Sequence, residues 1–131
     1  MSEESDRAAN VAALECVRQL LQAQHRRDLV RYRARLHDDI VIRLEDDIVV
    51  QGAEEAALLA VREWAVAPRS RTVVHDIGVA SEMVTVSYDA EAAVVPGTID
   101  LTETVNLTGH TIYEVQDRKI IRIWHHLRRS H

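Results

Sequence analysis

Apolar residues recur at helical spacing through the first part of the chain and then switch to strict alternation. Over about 6–27, Ala13/Leu14, Val17 and Leu20/Leu21 fall on one side of a helix, with Glu15, Arg18, Gln19 and Gln22 on the other. Asp28 stands where it can cap a second, short helix with the stripe Leu29, Tyr32 and Leu36. Asp38-Asp39 breaks that period. The β-branched run Ile40-Val41-Ile42-Arg43-Leu44, a turn at Asp46-Asp47 and Ile48-Val49-Val50 then predict a small hairpin. Gly52 opens a third helix with Glu54 and Glu55 in its first turn, where the helix dipole favours acids. Its expected stripe is Ala57/Leu58, Val61 and Trp64/Ala65, and Pro68 closes it.

From Arg71 onward the period is two. Strands are predicted at about 71–79, 83–94, 98–115 and 119–128, punctuated by Ala80-Ser81-Glu82, Val95-Pro96-Gly97 and Gln116-Asp117-Arg118. In the third of these, the odd positions Ile99, Leu101, Glu103, Val105, Leu107, Thr111, Tyr113 and Val115 form the inward face. A three-residue loop at 116–118 would set Tyr113 opposite Ile121 and Thr111 opposite Ile123. Ile121, Ile123, His125 and Leu127 then point inward, and Arg122, Trp124 and His126 outward. One extra loop residue would exchange His125 for His126. By the same alternation Val84, Val86, Tyr88 and Ala90 turn inward. Val73, His75, Ile77 and Val79 share a face, favoured as inward although Val74 competes.

Composition narrows the class. The 131 residues are 47% hydrophobic and 28% charged, the balance of a soluble globular domain, and one domain over 1–131 is expected, with 1–7 as a disordered tail. The acidic start Met1-Ser2-Glu3-Glu4 does not resemble a secretory signal, and no apolar run is long enough to span a membrane. A single cysteine, Cys16, excludes an internal disulfide and suits a reducing, cytoplasmic setting. The net charge is −5; Arg26, Arg27, Arg31, Arg33 and Arg35 cluster around one helical stretch and 118–129 is locally basic, but no stacking-aromatic motif accompanies them, which argues against nucleic acid as a partner.

Two helices, a hairpin, a third helix and a four-stranded antiparallel meander resemble SnoaL-like, nuclear-transport-factor-2-like and ketosteroid-isomerase-like proteins. Asp28-Leu29 with Leu36-His37-Asp38-Asp39-Ile40-Val41-Ile42 is similar to the family's short helix entering its first strand. Gly52-Ala53-Glu54-Glu55-Ala56 is similar to the glycine-led third helix. Thr108-Gly109-His110-Thr111-Ile112-Tyr113-Glu114-Val115 and Lys119-Ile120-Ile121-Arg122-Ile123-Trp124-His125-His126 resemble the paired last strands. The resemblance covers the chain from about residue 8. It implies three N-terminal helices packed on a strongly curved, mostly antiparallel sheet, a cone-shaped, cystatin-like roll holding a hydrophobic small-molecule ligand. It also implies a homodimer through the outer sheet face, which Ile112 and Trp124 support. The departures bear on function. Leu44 stands where ketosteroid isomerases have an Asp base, and Leu20 and Thr111 fall near their oxyanion-binding Tyr and Asp. Ala90, His125 and Tyr88 stand where limonene-epoxide-hydrolase-like members have two Asp and an Arg. His125 stands near the acidic base of SnoaL-type cyclases. The turn carries Arg118 where the family has Gly, so a non-glycine residue must take φ > 0 there.

His125 is the first candidate for chemistry, because an imidazole in an apolar cone accepts or donates a proton to a bound carbonyl, enol or epoxide. It stands equally as a core histidine satisfied by backbone or water. Tyr88 and Tyr113, inward on neighbouring strands, could donate to a developing oxyanion or serve as aromatic packing. Glu103 interrupts an apolar face; it would orient His125 or act as an acid, or else lie solvated at the sheet's rim. Tyr32, Trp64, His75, Thr111 and Ile123 complete the expected ligand-binding wall. Seven histidines raise the question of a metal, but His125 and His126 point to opposite faces, and His110 and His126 have no third ligand in the sequence pattern. No phosphate loop or nucleophile elbow is present in the sequence. The expectation is an acid–base enzyme without cofactor or metal, an isomerase, cyclase or hydratase/dehydratase of a polyketide-, terpenoid- or steroid-like compound. The alternative is a non-catalytic ligand-binding or dimerisation module.

Overall fold

The computed structural model describes residues 3–97 and 103–130. Helix α1, Glu3–Arg26, begins with acids at Glu3, Glu4 and Asp6 and ends with His25 and Arg26, a charge order that complements its dipole. Residues 3–7, expected as a tail, form its first turns. Its buried stripe is Ala13, Cys16, Val17, Leu20 and Ala23, as the spacing predicts. Arg27 takes φ 53° and stops it. Asp28 then accepts a hydrogen bond from Arg31 N at 3.2 Å and caps α2, Leu29–Ala34. Strands β1, Leu36–Leu44, and β2, Asp47–Gln51, make the hairpin. Helix α3 spans Ala53–Val66. Strands β3, Arg71–Ala80, β4, Met83–Ala93, β5, Val105–Gln116, and β6, Lys119–Arg129, follow. The six strands lie in the order β2-β1-β6-β5-β4-β3, with β1 parallel to β6 and every other pair antiparallel. This is the α+β architecture expected, three helices against a mostly antiparallel sheet. Residues 98–102 of the predicted 98–115 strand, Ile99 and Leu101 among them, lie outside the described residues.

The core sits between α1 and the inner sheet face, where Leu20, Leu36, Ile40, Ile120, Val84 and Val86 are fully enclosed. Each such side chain contributes about 1.5–3 kcal/mol by leaving water. Helix α3 departs from its expected stripe. Its buried residues are Ala53, Ala56, Ala57 and Ala60, while Leu58 is 52% and Val61 39% exposed. The helix packs on β1 and β2 through its smallest side chains, and the rotation carries Glu63 inward.

Facing within the sheet depends on one turn and two bulges. The β5–β6 turn has two residues rather than three, Asp117 and Arg118, at φ 54° and 63°. The thiol of Cys16 donates to the Arg118 carbonyl at 3.2 Å and ties the turn to α1. The shorter turn alone would reverse the facing of β6. Val115 pairs with Ile120 and Glu114 with Arg122, so Ile121 bulges out of the ladder and restores it. Thr111 therefore pairs with His125 and Tyr113 with Ile123. On β3 the bulge is His75 itself. Ile77 pairs with inward Val86, but Val74 pairs with inward Tyr88, so Val74 and not Val73 or His75 shares the inner face there.

Candidate active site

The inner face and the helices enclose a cavity of about 420 Å³, within the size range of small-molecule sites. Its wall joins Tyr32 of α2, Glu63 and Trp64 of α3, Tyr88 of β4, Tyr113 of β5, and His125 and Ile123 of β6. The exposed lining residues His25, Arg27 and Thr72 place its mouth between the end of α1 and the start of β3. Arg27 reaches across that gap to the carbonyls of Ala67 and Pro68, at 3.2 and 2.9 Å. Tyr32 and Trp64 meet edge to face with centroids 5.6 Å apart, stiffening one wall.

The sheet side of the cavity carries a chain of three side chains. The Tyr88 hydroxyl lies 2.9 Å from Thr111 Oγ1, and Thr111 Oγ1 lies 2.8 Å from His125 Nδ1. Thr111 is fully buried and sits behind the lining, so it joins the two groups rather than touching a ligand. Burial, with a smaller contribution from His126, lowers the His125 pKa to about 4. Its ring is neutral at pH 7, with Nδ1 engaged by Thr111 and the residue lining the cavity. Burial raises the Tyr88 phenol, its bond to Thr111 opposes that, and the Glu63 charge adds to the rise. Tyr113 is held well above the ordinary phenol value by burial and by Tyr88 and Tyr32.

Glu63 is the functional candidate that the sequence reading did not reach. Its Oε1 is buried and, among the described residues, has no hydrogen-bond partner. Burial raises the carboxyl to about 7, and only the Gly97 backbone N–H opposes that shift. Its charge acts on both Tyr32 and Tyr88, so the acid and the phenols share one space. The signal lay in the spacing: 63 follows Ala56 by seven and Ala60 by three, which puts it on the alanine face. The ordinary order of basicity is thus reversed, the carboxyl holding its proton more tightly than the imidazole. Such a separation of environments assigns acid and base roles.

Two expected site residues lie elsewhere. Glu103 precedes β5, is 68% exposed at its side chain, and faces Arg129 at 3.7 Å; solvent and that guanidinium remove any need for a partner in the cavity. His75 points outward because of its bulge and bonds Asp89 at 2.8 Å. That contact and the Thr108 hydroxyl hold Asp89 below the usual carboxylate range, the hydroxyl more strongly. On the outer face His110 and His126 stack with centroids 4.9 Å apart, and Glu45 Oε2 lies 3.2 Å from His126 Nδ1. Among the described residues, no group of three histidines, cysteines or acids has the geometry to hold a metal ion, and no helix is long and apolar enough to cross a membrane.

Comparison with solved structures agrees with this architecture. A cystatin-fold protein from Novosphingobium aromaticivorans aligns with a TM-score of 0.71 at 18% identity, over 89% of this chain and 97% of that one. An LEH-like epoxide hydrolase of M. tuberculosis aligns with a TM-score of 0.72 at 20% identity, over 91% and 84%. A SnoaL-like polyketide cyclase from Jannaschia sp. CCS1 aligns with a TM-score of 0.72 at 18% identity, over 90% and 86%. At these identities the likeness is one of fold. A search of curated proteins finds no match. The SnoaL-like domain model, in contrast, matches residues 17–123, the greater part of the sequence. The chain belongs to the SnoaL-like domain family.

Proposed function

We propose that this protein is a cofactor-independent acid–base enzyme that acts on a hydrophobic small molecule bound in the cavity, by isomerisation, cyclisation or hydration and dehydration. The observation that carries this reading is Glu63, a buried carboxyl with one oxygen unpartnered among the described residues and a pKa of about 7, on the wall of a mostly apolar cavity. A group that titrates at the working pH is the most effective proton carrier. As carboxylate, Glu63 takes a proton from carbon beside a carbonyl. The C–H pair moves toward the carbonyl oxygen, which accepts a hydrogen bond from Tyr88, and the carboxyl returns the proton to another carbon. As carboxylic acid, Glu63 protonates a departing hydroxyl. His125, neutral and lining the cavity, is the second proton-exchanging group, and Tyr113 a further wall donor. The chain itself supplies acid, base and oxygen-binding donor. A homodimer through the outer sheet face belongs to the same reading, supported by Trp124, 38% exposed there.

The test is proton exchange on a simple enolisable ketone. α-Tetralone in heavy water, followed by proton NMR, should lose its α-hydrogen signal faster with the protein present. Glu63→Gln should slow the catalysed part by about 10²-fold or more. A ketone that binds without any catalysed exchange would leave the cavity a binding site only.

A further inference from the structure

The chain from Tyr88 through Thr111 to His125 has a property that neither end shows alone. Thr111 Oγ1 hydrogen-bonds both neighbours, at 2.9 and 2.8 Å, and no other side chain among the described residues. It has one hydrogen to give, and neutral His125 has one ring N–H. Two arrangements satisfy every atom. In one, Tyr88 donates to Thr111, Thr111 donates to Nδ1, and the cavity meets a bare phenol oxygen beside an Nε2–H. In the other, Nδ1–H donates to Thr111, Thr111 donates to the phenol oxygen, and the cavity meets a free Tyr88 O–H beside a bare Nε2. Two donors toward the cavity would set a Tyr88 lone pair against a Thr111 lone pair, and two acceptors would fill both Thr111 lone pairs and leave its buried hydrogen without an acceptor.

We infer that Thr111 is a positioning residue that forces Tyr88 and His125 to present one donor and one acceptor together, and that the ligand is therefore a hydrophobic hydroxy-ketone or its enol. A carbonyl oxygen pairs with whichever end donates, and a hydroxyl with the end that accepts. A compound carrying only a carbonyl leaves the accepting end unpaired in a desolvated wall and binds more weakly. Full burial of Thr111 keeps water from breaking the coupling. The low basicity of His125 keeps the ring in the neutral form that the coupling requires. The inference rests on the reading of the cavity as a small-molecule site and adds the polar pattern that the molecule must carry.

Two measurements test it. Heteronuclear NMR of the imidazole nitrogens reads the His125 tautomer without any ligand. Tyr88→Phe removes a hydroxyl that does not touch His125, yet it should move the tautomer balance, whereas unchanged ring-nitrogen shifts would overturn the coupling. Calorimetry with α-tetralone and γ-hydroxy-α-tetralone then reads the ligand rule. The hydroxy-ketone should bind the native protein about tenfold more tightly. Thr111→Val should abolish that preference and Thr111→Ser restore it, an outcome that a merely structural role for Thr111 does not give. Equal affinity of the two ketones for the native protein would overturn the donor–acceptor rule and leave the cavity reading standing. Failure of both to bind would overturn the rule and the cavity reading together.

Discussion

On the inner face of the sheet, His125 shares one hydroxyl with Tyr88 and borders a cavity. One residue further along, on the outer face, His126 stacks on His110, lies tilted against Trp124 and meets the Glu45 carboxylate at 3.2 Å. Residue type and strand are the same. The difference lies in what each ring's surroundings leave unfinished. Glu45 is used up outside: its Oε1 also accepts from Leu127 N at 3.1 Å, and its carbonyl takes the Trp124 indole N–H at 2.6 Å. Inside, His125 borders the cavity and, among the described residues, Oε1 of Glu63 has no hydrogen-bond partner. The outer cluster reads as sheet bracing, and the inner wall as a site.

The largest effect on this contrast should come from Gly109, which pairs with Leu127 and lies against the His126 carbonyl. It has φ +151°, and an added Cβ would collide with the His126 carbonyl. Gly109→Ala should cost about 3 kcal/mol or more, seen as a large fall in Tm, because backbone and not a flexible side chain must give way.

Next in size is a pair of opposed pH effects on the inner face. Glu63 has its pKa raised from 4.5 to about 7, so the stability present below 4.5 is lost as pH rises through 7. His125 has its pKa lowered from 6.5 to about 4, so the stability present above 6.5 is lost as pH falls through 4. Each amounts to at most about 3 kcal/mol, and between 4.5 and 6.5 they oppose each other. Urea titrations across that window should find the native protein nearly level. Glu63→Gln should become more stable with rising pH, and His125→Leu less stable. Parallel profiles for the two variants would contradict the assignment.

The smallest effect belongs outside. Glu45→Ala removes an exposed carboxylate from His126 and Leu127 and should cost less than about 1 kcal/mol, with the proton exchange on α-tetralone unchanged. A loss of exchange comparable to that of Glu63→Gln would erase the distinction between the two faces.

The same contrast shows what was legible in the residues. Alternation along 105–115 set the inner face of β5 correctly, and the β-branched runs located the strands. The inward facing of His125 was also reached, but through two one-residue differences that cancel, a shorter turn at 117–118 and a bulge at Ile121. Alternation has no mark for a bulge, which explains why Val73 and His75 were turned the wrong way. Glu63 was missed for another reason. Seeking large apolar residues on α3 selects Leu58 and Val61, whereas close packing on the sheet selects alanine and carries the carboxylate in with it. Glu103 drew attention as a charge on an apolar stripe, yet it falls before the strand begins.

The chain has two tryptophans and no phenylalanine, and the fold places one on each side of the comparison. Trp64 stands in the cavity wall against Tyr32, and Trp124 lies on the outer face with its indole N–H on Glu45. Ultraviolet emission from this protein is therefore the sum of two lamps lighting different rooms. With Trp124 replaced by tyrosine, the remaining emission comes from the wall of the cavity, and a guest arriving there reports itself without a label.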